Sequence, residues 1–153
     1  MLWVKTFFGI LFQTALLAIF LYLPALTINW PDALLFLTIH FLITILASAY
    51  LLIVKPESVE ARMNYDSETQ PKEDRLATFL MLSAIVVGLS LAPIDIFHLN
   101  LSSNFEGNIK NIGLGLYIFG MLLVMASMNA NEFAETTVNI QEERGQKVID
   151  TGI

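Results

Sequence analysis

Residues 6–31 read TFFGILFQTALLAIFLYLPALTINWP, a stretch that contains no Lys, Arg, Asp or Glu. An α-helix rises about 1.5 Å per residue, so roughly 20 apolar residues cross the ~30 Å hydrocarbon core of a bilayer. Three further charge-free stretches follow, at residues 33–54, 76–94 and 111–131. The pattern predicts an all-α integral membrane protein, a four-helix bundle. Its helices are expected at about residues 7–28, 33–54, 76–94 and 111–131, with a tail at 132–153.

The composition supports membrane-spanning helices and argues against other classes of protein. Of the 153 residues 56% are hydrophobic and 14% are charged, whereas soluble domains have about 25% charged residues. A transmembrane β-strand alternates apolar and polar residues, but residues 16–23 are apolar at every position. A cleaved signal has an apolar core of about 7–15 residues, so the longer first stretch predicts a retained helix. The chain has no cysteine, which excludes disulfides and thiolate metal sites.

The eight Lys and Arg residues are distributed unevenly over the predicted topology. Seven of them fall on one side of the membrane: Lys5, Lys55, Arg62, Lys72, Arg75, Arg144 and Lys147. Lys110 lies on the other side. Because short cytoplasmic loops accumulate Lys and Arg, we expect a multi-pass protein with both termini in the cytoplasm. The net charge of −6 and the lack of a basic patch argue against nucleic acid as a partner.

Few polar groups interrupt the predicted membrane helices. His40 lies about a third of the way along the second helix, and Thr44 follows one helical turn later. The favoured interpretation is a neutral histidine that bonds to a neighbouring helix, and the alternative is a role in proton transfer or ligand binding. His40 and His98 lack partners at the spacing of a metal site. The sequence therefore predicts neither a metal site nor a catalytic residue in residues 1–153.

Small residues recur along one face of the third and of the fourth predicted helix. They are Ala84, Gly88 and Ala92 in the third helix, and Gly113, Gly120 and Ser127 in the fourth. Because membrane helices approach closely where small residues line a face, we expect these two helices to pack together. Pro93 is expected to end the third helix, which would leave the Asp95 carboxylate within reach of water.

Two segments on the predicted cytoplasmic side have patterns of their own. Pro56 suits the first turn of a short helix in which Val59 and Met63 share a face, and such a helix can lie along the membrane surface. Beyond residue 131 we expect the fourth helix to continue into the tail and to end near Gly145, a natural C-cap. A short extended strip at residues 146–150 and a Thr-Gly turn are expected to follow.

Several short motifs in these segments match a known family. They are Lys55-Pro56-Glu57, Arg62-Met63, Glu73-Asp74-Arg75, Asn131-Glu132-Phe133 and, most specifically, residues 138–152. With these motifs the chain resembles the integral membrane methyltransferases typified by isoprenylcysteine carboxyl methyltransferase and the related phospholipid methyltransferases. The resemblance covers most of the sequence.

The resemblance implies a transferase that uses S-adenosylmethionine to methylate a prenylated or lipid acceptor. By position, four residues match the strip that lies against the adenosyl part of the cofactor, and two match the turn beneath it: Gln146, Lys147, Val148, Ile149, Thr151 and Gly152. In the family, an Arg-His-Pro-x-Tyr motif and a further membrane hairpin complete the pocket, and residues 1–153 contain neither. Methyl transfer depends mainly on holding the acceptor and the methyl group in line. We therefore expect the amino-terminal portion of such an enzyme, inactive by itself.

Two alternatives remain open. The first is a non-catalytic four-helix membrane protein that packs with a partner subunit, either a second copy or a separately encoded carboxy-terminal half. The second is a related membrane reductase of the sterol type, which would require nicotinamide-binding residues that the sequence does not show. In each case the lipid bilayer is an expected partner.

Overall fold

A computed structural model describes residues 1–63, 72–101 and 107–130, and helices take up 92% of these residues. The described part contains no strand. The helices are α1 (Leu2–Ala25), α2 (Pro31–Val54), α3 (Pro56–Met63), α4 (Lys72–Ile94) and α5 (Gly107–Ala130), and a π-helical turn (Asp95–Leu99) continues α4. Four helices are long and apolar enough to span a membrane: α1, α2, α5, and α4 together with its π-helical turn. The all-α class and the four apolar helices are thus confirmed for the described residues.

The ends of the long helices differ from the predicted ends by a few residues, for two reasons. Helix α1 begins before its charge-free stretch and includes Lys5, because a long charged side chain near a helix end can reach the membrane surface. Helix α4 likewise begins before its charge-free stretch, at Lys72. Helix α1 also ends three residues earlier than predicted. Leu26 adopts the left-handed conformation (φ 54°), and its N–H donates to the Leu23 carbonyl. Pro31 then opens α2, where its missing N–H has no consequence.

The long helices pack in the order α4, α1, α2, α5. Helices α1 and α2 are antiparallel, α4 runs in the direction of α1, and α5 runs in the direction of α2. The helices have two common ends along their axes. We call these the Trp30 end and the Lys55 end, after the residues that directly precede and follow α2. At the Trp30 end the Lys110 ammonium donates to the Asp32 carboxylate over 2.6 Å and joins the starts of α5 and α2.

Two apolar clusters hold α2 in place. Near the Trp30 end, the buried residues Leu21, Ala33 and Leu37 join α1 to α2, and aromatic side chains including Tyr22, Trp30 and Phe36 pack around them. At the Lys55 end, Val59 of α3 is buried against Leu51 and Leu52. The predicted short helix after Pro56 is present, and its Val59 faces the protein.

The predicted packing of the third membrane helix on the fourth is wrong. Helices α4 and α5 are not among the pairs that pack extensively, since α4 lies on α1 and α5 lies on α2. Ala84, Gly88 and Ala92 are exposed, and a Cβ atom added to Gly88 or Gly120 would meet nothing within 4 Å. Small residues permit a close approach between helices, but they do not select a partner. The face of α4 with least exposure is instead the one that contains Ser90 and Pro93.

A proline within α1 creates a specific contact between α1 and α4. Pro24 has no N–H, so the Phe20 carbonyl one turn earlier lacks its helical partner. The Ser90 hydroxyl of α4 donates to that carbonyl over 3.5 Å. Side chains of neighbouring helices commonly satisfy carbonyls that proline frees within a membrane.

We expect Ser90→Ala to lower the free energy of unfolding by about 0.6 kcal/mol, a typical value for a hydrogen bond between membrane helices. Unfolding in detergent micelles, followed by circular dichroism, measures this change. Ser90→Thr keeps the hydroxyl and serves as the control. An equal loss in both variants would show that packing volume, not the hydrogen bond, is what matters at this position.

The predicted end of the third α-helix at residue 94 is confirmed, but Pro93 does not end the helical segment, because a π-helical turn continues it. Pro93 is fully buried within α4, and the α-helix continues to Ile94 before the π-helical turn. The wider turn accommodates the proline, because local π geometry is one way in which membrane helices absorb it. Asp95 begins this turn, and its carboxylate accepts the N–H of Leu101, just beyond the end of the turn, over 2.8 Å.

Candidate functional site

The residues predicted to bind the cofactor, Gln146, Lys147, Val148, Ile149, Thr151 and Gly152, lie outside the described residues. The same is true of the predicted continuation of the fourth helix and its end at Gly145. The structure does describe the end of α5 and the side chains that bind it. This last turn of α5 is the described part of the chain that lies nearest in sequence to the predicted site.

Two cations bind the carboxy-terminal end of α5. The Lys55 ammonium donates to the Asn129 carbonyl over 2.5 Å, and the Arg62 guanidinium donates to the Met128 carbonyl over 3.4 Å. A backbone carbonyl oxygen has two lone pairs, so it can accept a side-chain donor in addition to a bond within the helix. Lys55 and Arg62 therefore tie the last described turn of α5 to α3.

Helix α3 holds these two cations in position. Lys55 is the single residue between α2 and α3, and Pro56 opens α3 at once. The buried Ser58 and Val59 anchor the helix against the end of α2, and the Thr6 hydroxyl of α1 contacts the Met63 sulfur over 3.4 Å. Arg62, one turn after Ser58, is thereby directed toward α5. The motifs at residues 55–57 and 62–63 thus converge on one point of the fold.

A second polar feature lies between α2 and α5 within the apolar helices. Nδ1 of His40 and the Tyr117 hydroxyl share a hydrogen bond of 2.5 Å, and Phe36 packs against both rings. His40 is 5% exposed. The predicted bond from His40 to a neighbouring helix is confirmed. Within the described residues, Nε2 of His40 and the Thr44 hydroxyl are buried and have no partner.

The sequence analysis did not identify Tyr117 as the partner of His40. The positions of His40 and Tyr117 along their helices could have indicated that they pair, because α2 and α5 run in the same direction from the Trp30 end. His40 is the tenth residue of α2, and Tyr117 is the eleventh residue of α5. Polar side chains at equal depth on two spans of one direction are natural candidates for a pair.

A cleft of about 530 Å³ opens between α2 and α5 at the Trp30 end. The Asp32–Lys110 ion pair lies at its mouth, and both side chains are more than half exposed. Phe36 and Leu114 contribute to its apolar walls, and Tyr117 lies deepest along α5. The cleft is therefore charged at one end, apolar in the middle and polar again where the Tyr117 hydroxyl meets His40.

Comparisons with known proteins identify no relative: no protein-family profile, curated protein or solved structure matches the chain. Among residues 1–63, 72–101 and 107–130, no group of three or more His, Asp or Glu side chains is placed to hold a metal ion.

Proposed function

We propose that this chain is the amino-terminal membrane portion of a methyltransferase that uses S-adenosylmethionine and methylates a prenylated or lipid acceptor. The convergence of Lys55 and Arg62 on the last described turn of α5 carries the proposal. Both residues belong to the motifs that resemble the integral membrane methyltransferases. Residue 131, the first after α5, begins the tail that contains the segment resembling the cofactor-binding strip.

A methyltransferase needs a firmly positioned cofactor wall, because its rate depends on in-line placement of acceptor and methyl group. A segment that follows a helical turn held by two cations starts from a defined point and direction. In this proposal, Lys55 and Arg62 are positioning residues: they act on the cofactor segment through the end of α5. The Lys55 end, with seven of the eight Lys and Arg residues on its side in the predicted topology, faces the cytoplasm.

The apolar surface of the protein is compatible with a lipid-like acceptor. Large hydrophobic side chains are exposed along all four long helices, among them Phe12, Leu46, Phe79 and Leu116. Such surfaces are covered by lipid when helices lie in a bilayer. An acceptor with a prenyl or acyl chain would share that environment and could reach the protein by lateral diffusion.

Binding of S-adenosylhomocysteine, the demethylated cofactor, tests the proposal. We expect calorimetry in detergent to detect binding by a version that also includes the coding sequence following Ile153 in the gene. In that version, the double variant Lys55→Met/Arg62→Met should weaken binding about tenfold, because each substitution removes a hydrogen bond worth roughly 0.5–1.5 kcal/mol. Lys5→Met removes a cation at the same end that makes no hydrogen bond to the described part of α5, and should leave binding unchanged.

Two results would contradict the proposal. If the extended version bound no S-adenosylhomocysteine, the resemblance would not extend to the cofactor. If it bound the compound but the double variant and Lys5→Met behaved alike, the junction at α5 would have no positioning role.

A second candidate function is a non-catalytic membrane protein that packs with a partner subunit. One observation favours it: no residue from 108 to 130 is buried in the protein, so α5 contributes little to the described core. A stable complex of two or more subunits in detergent, together with absence of cofactor binding, would support this candidate over the first.

A further inference from the structure

We infer that the cleft between α2 and α5 at the Trp30 end binds a phospholipid of the bilayer leaflet at that end. The lipid phosphate would lie at Lys110, and an acyl chain would lie along the apolar walls. This inference is independent of the proposed methyltransferase function. The cleft and the Lys55–α5 junction lie at opposite ends of α2, whose 24 residues extend about 36 Å. The bound lipid would therefore be structural and distinct from a methyl acceptor.

The charges at the mouth of the cleft favour an anion. Of the described residues that line it, Asp32 and Lys110 are the charged ones. Their side chains pair with each other, so their formal charges cancel. Helix α2 begins at this end. Its start carries roughly half a positive charge, which leaves the described part of the mouth net positive.

The ion pair does not close the mouth. Both side chains remain more than half exposed, at 57% for Lys110 and 56% for Asp32. An exposed ion pair of this kind contributes little to the stability of the fold. Its lysine can therefore bind a phosphate without a large loss of folding free energy. Asp32 lies in the first turn of α2, where the helix itself stabilises a carboxylate.

The walls and the position of the cleft favour a lipid over a free anion. Leu35, Phe36, Ile96 and Leu114 provide an apolar lining that a hydrated phosphate ion would avoid. From Lys110 to Tyr117 the cleft follows α5 for seven residues, about 10 Å, which suits the first part of an acyl chain. Trp30, which also lines the cleft, is the residue type that marks the headgroup level of a bilayer.

Native mass spectrometry of the delipidated protein, titrated with dioleoyl phosphatidylglycerol, tests this inference. We expect one lipid to bind with high occupancy. Lys110→Met should weaken that binding about fivefold, the effect of one basic residue at a lipid headgroup. Leu114→Trp, which fills the apolar part of the cleft, should also reduce it. Lys5→Met removes a cation at the opposite end and serves as the matched control.

Two further ligands test the contributions of the acyl chains and of the phosphate separately. Dioleoylglycerol, which has the chains but no phosphate, should bind markedly more weakly than phosphatidylglycerol, and millimolar inorganic phosphate should not displace the lipid. Equal binding of dioleoylglycerol would overturn the role of Lys110, and displacement by phosphate would indicate a site for a free anion. Unchanged lipid binding in both Lys110→Met and Leu114→Trp, with unchanged melting curves, would overturn the site itself.

Discussion

Replacing Leu37 with alanine is expected to lower the free energy of unfolding by about 2–3 kcal/mol. Leu37 is 7% exposed and lies with Leu21 and Ala33 in the cluster that joins α1 to α2. Truncation of a buried leucine in a soluble core costs about 2–5 kcal/mol, part for transfer from water and part for the cavity left behind. Lipid tails are as apolar as leucine, so the transfer part shrinks in a membrane and the packing part remains.

Helix α2 also provides the matched control for this prediction. Leu46 is 69% exposed on the same helix, and Leu46→Ala removes the same atoms from a surface that lipid or detergent can refill. Its effect should stay within about 0.5 kcal/mol. Unfolding by a denaturing detergent, fitted for both variants under one set of conditions, gives the comparison. Equal losses would mean that the α1–α2 contact is not the centre of the fold.

The membrane helices could be predicted from the sequence because each one is a continuous stretch without charged residues. Charged side chains are excluded from the hydrocarbon core wherever the neighbouring helices are placed, so residues 33–54 and 76–94 identify two helices before any packing is known. The exact starts of α1 and α4 could not be obtained in this way. Lys5 and Lys72 are charged but still helical, since a charge near the membrane surface does not interrupt a helix.

The neighbours of each helix could not be predicted, because lipid and leucine are nearly equivalent surroundings. The small residues of α4 and α5 would allow a close approach, and yet Gly88 and Gly120 have open space beside them. What joins α4 to α1 includes a contact from Ser90 to a carbonyl freed by Pro24, which depends on two residues far apart in the sequence. A pattern within one helix does not contain that information.

Some features of the candidate site could likewise be predicted from the sequence, and others could not. Bonding of His40 to another helix was predictable, because a buried imidazole in an apolar span requires a partner. The identity of Tyr117 required the order and direction of the helices. The converging positions of Lys55 and Arg62 also depend on α3, a helix of eight residues whose direction is set by packing. The predicted cofactor-binding residues remain a prediction, since they lie outside the described residues.

A single cysteine placed at Asn108 is expected to react with a membrane-impermeant maleimide in intact cells, whereas a cysteine at Glu60 should react only after the membrane is permeabilised. The chain has no cysteine of its own, so each variant carries one reactive thiol. Both positions are exposed, and they lie at opposite ends of the helices. Because Lys5, Lys55 and Arg62 share the end of Glu60, that end should remain in the cytoplasm. We therefore expect nearly complete labelling in one case and almost none in the other.

This labelling experiment also decides between the functional arguments. Reversed labelling would place the Lys55 end and the start of the tail outside, away from a cytoplasmic supply of S-adenosylmethionine, and the proposed methyltransferase function would fail. The lipid site at Lys110 would survive that result, because its argument uses only the charges and walls of the cleft; the lipid would simply belong to the other leaflet. Equal labelling of both cysteines in intact cells would show that the four helices do not cross the membrane in a single orientation, which the proposed methyltransferase function requires.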